Sequence, residues 1–277
     1  AKINLYLHVT GKRADGYHLL DSLIVFADAG DTLAATAADA LTLAIDGPFA
    51  AGLESGPDNL VLRAAAGLRT LTGAKAGAAI RLTKNLPIAS GIGGGSADAA
   101  AALRLLADLW RVTPDRSALM DLAAKLGADV PVCLAGKPSF VGGIGERIDP
   151  ATGLPSCWLL LVNPRVATPT PAVFKARRGD FSAPGRWADR PRDFVDFARR
   201  LAACRNDLTE AAISVTPQIR DVLAAIEELP GCALARLSGS GATCFGLFAD
   251  EPAAQAALRR MQAGRPAWWS LAAPLAG

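Results

Sequence analysis

A run of glycines between a strand and a long alanine-rich helix constrains this chain more than any other feature. Residues 77–83 read as a strand and lead into Lys84-Asn85-Leu86-Pro87-Ile88-Ala89-Ser90-Gly91-Ile92-Gly93-Gly94-Gly95-Ser96. From Ala97 to Trp110 alanine and leucine dominate, the strongest helix signal in the sequence. Gly91, Gly93, Gly94 and Gly95 lack Cβ atoms and admit positive φ, so successive backbone N–H groups can converge on one point. A helix that starts at once, with Ser96 as its expected N-cap, adds the positive end of its dipole. Together these features predict an anion site suited to phosphate. The alternative is a tight strand-to-helix connection, for which three consecutive glycines are more than is needed. The loop is not a Walker A motif, because no Gly-Lys-Ser/Thr follows, and Ser96 at the sixth position from Gly91 breaks G-x-G-x-x-G. Asp98, in the first helical turn, reads as a residue that complements the dipole rather than as a catalyst.

The rest of the chain mixes strands and helices without regular alternation, which predicts an α+β fold in two lobes. Lys2 to Val9 alternates as a strand with Ile3, Leu5, Leu7 and Val9 on its buried face, which places Lys2 and Asn4 together on the other. Strands are expected near 22–26, 32–36, 41–45, 138–142, 146–149, 158–163, 233–237, 243–248 and 267–272. Helices are expected from Asn59 to Leu71, with Asp58 as N-cap, and near 115–126, 192–202, 207–213, 217–229 and 252–262. The stretch after residue 163, through 191, is polar and proline-rich and reads as irregular. With 277 residues, at roughly 150 per domain, about two domains are expected, or one large α/β unit with a lobe. A boundary near 150–155 gives an N-terminal lobe, 1–152, carrying the glycine loop, and a C-terminal lobe, 153–277.

Composition excludes several classes. The longest bulky apolar run, Cys157 to Val162, is far short of the ~20 residues of a membrane span, so no membrane is expected. A net charge of +3, scattered along the chain, gives no nucleic-acid surface. Five cysteines without CxxC spacing and only two histidines predict reduced, buried thiols and no structural metal. Nothing near Ala1 has the pattern of a signal peptide, so a cytoplasmic location is expected.

Two further segments are weak alone. Asp129 in Gly127-Ala128-Asp129-Val130-Pro131 is by itself a turn or cap residue. Ser238-Gly239-Ser240-Gly241 between two strands is either a hairpin connection or a loop of close backbone approach. Taken with Ala1-Lys2-Ile3-Asn4-Leu5 and the stretch Pro87 to Ala100, the segment Leu237 to Ala242 makes a set that resembles the three motifs of the GHMP small-molecule kinases. The motifs stand in the right order over nearly the whole chain. Thr10 to His18, Gly127 to Pro131 and Pro169 to Lys175 resemble the branch whose acceptor is a cytidine diphosphate-linked methylerythritol, in non-mevalonate isoprenoid precursor synthesis.

The resemblance implies a two-lobed fold with the active site in the cleft between lobes, and ATP-dependent phosphorylation of the acceptor's 2-hydroxyl. By matching motifs it implies Asp129 as catalytic base and Lys2 as its cationic partner. That agrees with the chemistry, since a tertiary alcohol needs its proton accepted as the bond forms. Nucleotide contacts would come from Pro87, Ile88, Ala89, Ser90, Gly91, Ile92, Gly93, Gly94, Gly95, Ser96 and Ala97. Asn59 and Lys84 match positions near the adenosine; apart from the resemblance they read as a helix-start residue and a solvated loop lysine. The resemblance puts Asn4, Tyr17, His18 and Phe174 at the acceptor, with the base stacked between Tyr17 and Phe174 and read by His18. Ser96-Ala97-Asp98 departs from the Ser-Ser-Asn or Ser-Ser-Asp of many relatives, leaving one hydroxyl fewer near the phosphates. No acidic Mg2+ ligand is evident, so magnesium is expected to arrive with ATP. A homoserine or mevalonate kinase is disfavoured by Gly16-Tyr17-His18, and a non-catalytic nucleotide-binding protein by retention of both Lys2 and Asp129.

Overall fold

The computed structural model describes residues 1–276. In chain order the first half holds β1 (Lys2–Lys12), β2 (His18–Ala27), β3 (Thr32–Ala38), β4 (Leu41–Asp46), α1 (Leu60–Thr72), β5 (Gly77–Thr83) and α2 (Gly94–Trp110). Then come α3 (Arg116–Leu126), α4 (Val130–Ala135), β6 (Ser139–Gly143), β7 (Arg147–Pro150), β8 (Trp158–Asn163) and α5 (Thr170–Ala176). The chain continues with α6 (Phe194–Ala202), α7 (Thr209–Val215), α8 (Gln218–Glu227), β9 (Leu234–Leu237), β10 (Cys244–Phe248), α9 (Glu251–Gly264) and β11 (Trp269–Ala276). Strands and helices are mixed as an α+β fold requires.

The chain forms two compact units, neither continuous in sequence. The first takes Ala1–Ala29, Ala89–Ile92 and the chain from Lys137 on; the second takes Gly30–Ile88 and Gly93–Gly136. A division at 152/153 therefore runs through the first unit. The reason is strand pairing: β2 bonds antiparallel to β6 and also to β11, so both ends of the sequence enter one sheet.

That sheet has the order β7-β6-β2-β11-β8-β10-β9, with β1 paired to β2. On one face Leu160 and Val162 of β8 and Cys244 and Phe248 of β10 share a core with α5, α7, α8 and α9. Val173, Leu208, Ile219, Val222 and Ile226 are among its fully buried members. Each such aliphatic side chain is worth about 1.5–3 kcal/mol on burial. The second unit has a sheet of order β3-β5-β4, with β4 parallel to β5, and α1 to α4.

Several local expectations are corrected. β1 is buried on both faces over Lys2 to Val9, not on one, because its polar side chains also find partners: Asn4 bonds Ser22, Tyr6 bonds Asp21 and His8 bonds the Ala183 carbonyl. Helix α1 is capped by Asn59, whose Oδ1 accepts the Val61 N–H at 2.9 Å, rather than by Asp58. Helix α2 begins at Gly94, with Gly93 in the left-handed region (φ 63°) as its N-cap, so Ser96 is already inside the helix. Helices α4 and α5 were not expected. Both carry proline in the first turn, where a missing N–H costs nothing, although the same prolines read in sequence as loop signals.

Candidate active site

In the first unit three sequence-distant segments meet. Lys2 and Asn4, at the start of β1, are both buried. The Lys2 ammonium donates to Asn4 Oδ1 at 2.8 Å, and Asn4 Nδ2 donates to Ser22 Oγ on β2 at 2.8 Å. The Lys2 amide donates to the Ile92 carbonyl at 3.0 Å, and the Asn4 amide to Ser238 Oγ at 3.2 Å. Ser238 Oγ in turn donates to the Gly91 carbonyl at 3.1 Å, and the Thr243 amide to the Ser90 carbonyl at 2.9 Å. Gly91 has φ +76°, and a Cβ there would stand 2.7 Å from the Gly241 nitrogen. Only glycine fits at that approach. The loop at 238–241 is therefore a close-approach loop.

The same unit brings His18 and Phe174 together. Thr170 and Ser240 share a hydroxyl–hydroxyl bond at 2.7 Å, which ties the start of α5 to the loop at 238–241. One helical turn on, Phe174 stacks on the His18 imidazole with centroids 5.1 Å apart and planes at 29°. Burial, with Lys12 and Arg177 nearby, lowers the His18 pKa from its ordinary value, so the ring is neutral at pH 7. Tyr17 lies in the turn before β2 and is 62% exposed. The ring against Phe174 is thus that of His18, where the sequence reading places a base.

The second unit holds the remaining candidates. Asn59 has both amide atoms engaged, its Nδ2 donating to the Glu54 carbonyl at 2.9 Å. Lys84 is not a solvated loop lysine: it is buried, and its ammonium is bonded to the carboxylates of Asp31 and Asp98, the latter at 2.9 Å. Burial pushes the Asp98 carboxyl up to about 6 against the pull of Lys84, and the Asp31 charge adds to the rise. Asp98 is thus a buried ion-pair partner, not a residue placed for the helix dipole. Asp129 stands at the N-terminus of α4 without capping it by its side chain, and its carbonyl accepts the Cys133 N–H at 3.1 Å.

The loop from Pro87 to Ala97 is divided by membership: Ala89–Ile92 belong to the first unit, while Pro87, Ile88 and Gly93 to Ala97 belong to the second. Leu86 and Ile92 anchor it apolarly, and Ser90 is buried. Sequence reasoning missed Ser22 and Asp31 altogether. A lone serine inside a strand and a lone aspartate before one carry no pattern that marks them. Among the described residues no group of three or more His, Cys, Asp or Glu is placed to hold a metal ion.

Comparison with known proteins gives the family. Residues 59–137 match the model of the GHMP kinases N terminal domain, and residues 176–266 that of the GHMP kinases C terminal domain. A 4-diphosphocytidyl-2-C-methyl-D-erythritol kinase of Paramagnetospirillum magneticum is 56% identical over 99% of this chain and 96% of its own length. The enzyme of the same name from Rhodospirillum rubrum is 52% identical over 100% of this chain and 91% of its own. A crystal structure of 4-(cytidine 5'-diphospho)-2C-methyl-D-erythritol kinase superposes with a TM-score of 0.81 at 33% identity, covering 100% of this chain and 97% of that one. Mevalonate kinase of Methanococcus jannaschii, at 12% identity and a TM-score of 0.66 over 100% of this chain and 96% of that one, shares the fold alone. The chain belongs to the GHMP kinases and, within them, to the family of the 4-diphosphocytidyl-2-C-methyl-D-erythritol kinases.

Proposed function

We propose that this chain transfers the terminal phosphoryl group of ATP to the 2-hydroxyl of 4-diphosphocytidyl-2-C-methyl-D-erythritol. The observation that carries the reading is identity above one half, over nearly the full length of both chains, with enzymes of that name. The convergence of Lys2, Asn4, Ser90, Gly91 and Ser238 supports it, because three motifs far apart in sequence form one polar cluster.

Asp129 is the proposed base that takes the hydroxyl proton, and Lys2 its cationic partner; the two lie in different units, and the pairing rests on their motifs. The role suits the chemistry, since a carboxylate that accepts the proton as the P–O bond forms contributes typically 10²–10⁴-fold. The glycine loop and the free N–H groups at the start of α2 are proposed to hold the donor phosphates. Asn59 and Lys84 are proposed near the adenosine, and Asn4, Tyr17, His18 and Phe174 at the acceptor. Support at the acceptor comes from the His18–Phe174 stack and the neutral His18 ring, able to both donate and accept at the edge of a base. Magnesium is proposed to arrive with ATP, and among the described residues none is assigned as its ligand.

The deciding experiment is ADP release with the cytidylylated acceptor and with its uridine analogue. Turnover with the first at least ten times faster is expected. Release with homoserine or mevalonate instead, or none with any acceptor, overturns the assignment.

A further inference from the structure

The ionic cluster of the second unit is more heavily built than a lysine near an adenosine requires. Asp31 precedes β3, and its side chain is only 1% exposed. One of its oxygens, Oδ1, accepts the backbone N–H groups of Asn85 at 2.7 Å and Leu86 at 2.8 Å. The other accepts the Lys84 ammonium, which also donates to Asp98 Oδ2 at 2.9 Å. The Lys84 backbone is itself fixed, its N–H donating to the Asp46 carbonyl at 2.7 Å and its carbonyl accepting the Phe49 N–H at 3.1 Å. The ammonium lies 3.0 Å from where a Cβ on Gly94 would stand, at the first residue of α2. One buried cluster thus ties the end of β5, the entry to the glycine loop and, through Asp98, the N-terminal part of α2.

We infer that Asp31 is a positioning residue for the phosphates of the nucleotide, acting through Lys84, Asp98 and the loop backbone rather than by contact. The inference rests on the kinase reading above and assigns that site a residue which no motif marks. An anion site made of backbone N–H groups works only if those groups are held in place before the ligand arrives. Asp31 holds them from two sides, by the N–H groups before the loop and by the ion pair under the helix start. An asparagine at 31 cannot do both. If its oxygen keeps the two N–H groups, its Nδ2 faces the ammonium, donor against donor; if it turns over, the N–H groups lose their acceptor. In the first state Lys84 loses one of its two carboxylate partners and meets a donor instead; in the second, two buried N–H groups lose their acceptor.

The test is calorimetry of wild type, Asp31→Asn and Lys84→Gln with a non-hydrolysable ATP analogue and with adenosine, each variant checked by thermal melting. For Asp31→Asn the analogue's Kd is expected to rise at least tenfold, while adenosine and the acceptor's KM stay within about twofold. Lys84→Gln keeps an uncharged donor for one carboxylate and serves if Asp31→Asn does not fold; it should weaken the analogue at least tenfold and weaken adenosine clearly less. Unchanged analogue binding in a folded variant overturns the inference. So does equal weakening of adenosine and analogue, which would confine the role of the cluster to the adenosine. A wild-type protein that does not bind the analogue overturns the kinase reading and this inference together, whereas equal affinities in wild type and variants overturn the inference alone.

Discussion

Around Gly91 the first unit is held by amides and hydroxyls of Asn4, Ser238 and Thr243 bonded to one another and to backbone. Around Gly94, three residues further on, the second unit is held by two carboxylates and a lysine. Neutral bonds of the first kind are worth about 0.5–1.5 kcal/mol each and do not change between pH 5 and 8. The buried ionic cluster depends on whether Asp98 carries its charge, because burial penalises that charge. One loop is therefore anchored at one end by contacts insensitive to pH and at the other by contacts that respond to it.

The largest effect should separate chemistry from both anchors. Asp129→Asn is expected to cut kcat by about 10²–10⁴ while nucleotide affinity and melting temperature stay near wild type. Retention of more than about a tenth of wild-type turnover, near 1.4 kcal/mol in barrier, removes Asp129 from the role of base.

Gly91→Ala attacks the neutral anchor. A side chain there meets the Gly241 backbone and must hold φ +76°, so a loss of roughly 2–4 kcal/mol is expected. The loss should be the same at pH 5.5 and pH 8 in denaturant titrations. A loss that grows or shrinks with pH would mean that charged groups share in this anchor.

Legibility in the sequence follows the same division. The first region was readable because each of its parts, Lys2 to Leu5, Ser90 to Gly95 and Ser238 to Gly241, is a local motif whose spacing says something by itself. The strand and helix periods also placed nearly every element, and Gly73 past the end of α1 is the left-handed cap its position suggests. The ionic cluster was not readable, since Asp31, Lys84 and Asp98 come from three elements and meet only once β3, β5 and α2 are packed. Helices α4 and α5 were lost for a different reason: proline at a helix start and proline in a loop look alike until the backbone is seen. The two-faced burial of β1 was hidden because the partners of its polar face, Ser22, Asp21 and the Ala183 carbonyl, lie outside the strand and carry no pattern that links them to it.

Asp98→Asn sharpens the charged side of the comparison. The folded-state pKa of Asp98 is raised to about 6 from 3.8, so between those values the folded chain binds more protons than the unfolded one. Stability from this group is therefore lost as pH rises through that window, and the asparagine variant escapes the loss. Its stability relative to wild type should climb between pH 4 and pH 6 by on the order of 1–3 kcal/mol and level off above. A difference flat across that range would show that Lys84 compensates the carboxylate fully.

The smallest effect concerns a titratable ring in contact with Phe174 in the first unit. His18 is shifted opposite to Asp98: burial, then Lys12 and Arg177, disfavour its charged form, so the imidazole is neutral at pH 7 and gains its proton only below its ordinary value. A neutral imidazole offers one donor and one acceptor, and the acceptor suits the cytosine amino group; an imidazolium has no acceptor left. Stacking itself distinguishes the bases little, because each presents a π-face. Tyr17→Ala should therefore raise KM for cytidine and uridine acceptors by similar factors. His18→Ala should narrow the ratio of their kcat/KM values by several-fold, about 1 kcal/mol. In wild type the same ratio should hold steady above pH 7 and fall toward the His18→Ala value as the pH drops and the ring is protonated. If the ratio in His18→Ala equals that of wild type at every pH, the ring serves only to pack on Phe174, and backbone groups read the base.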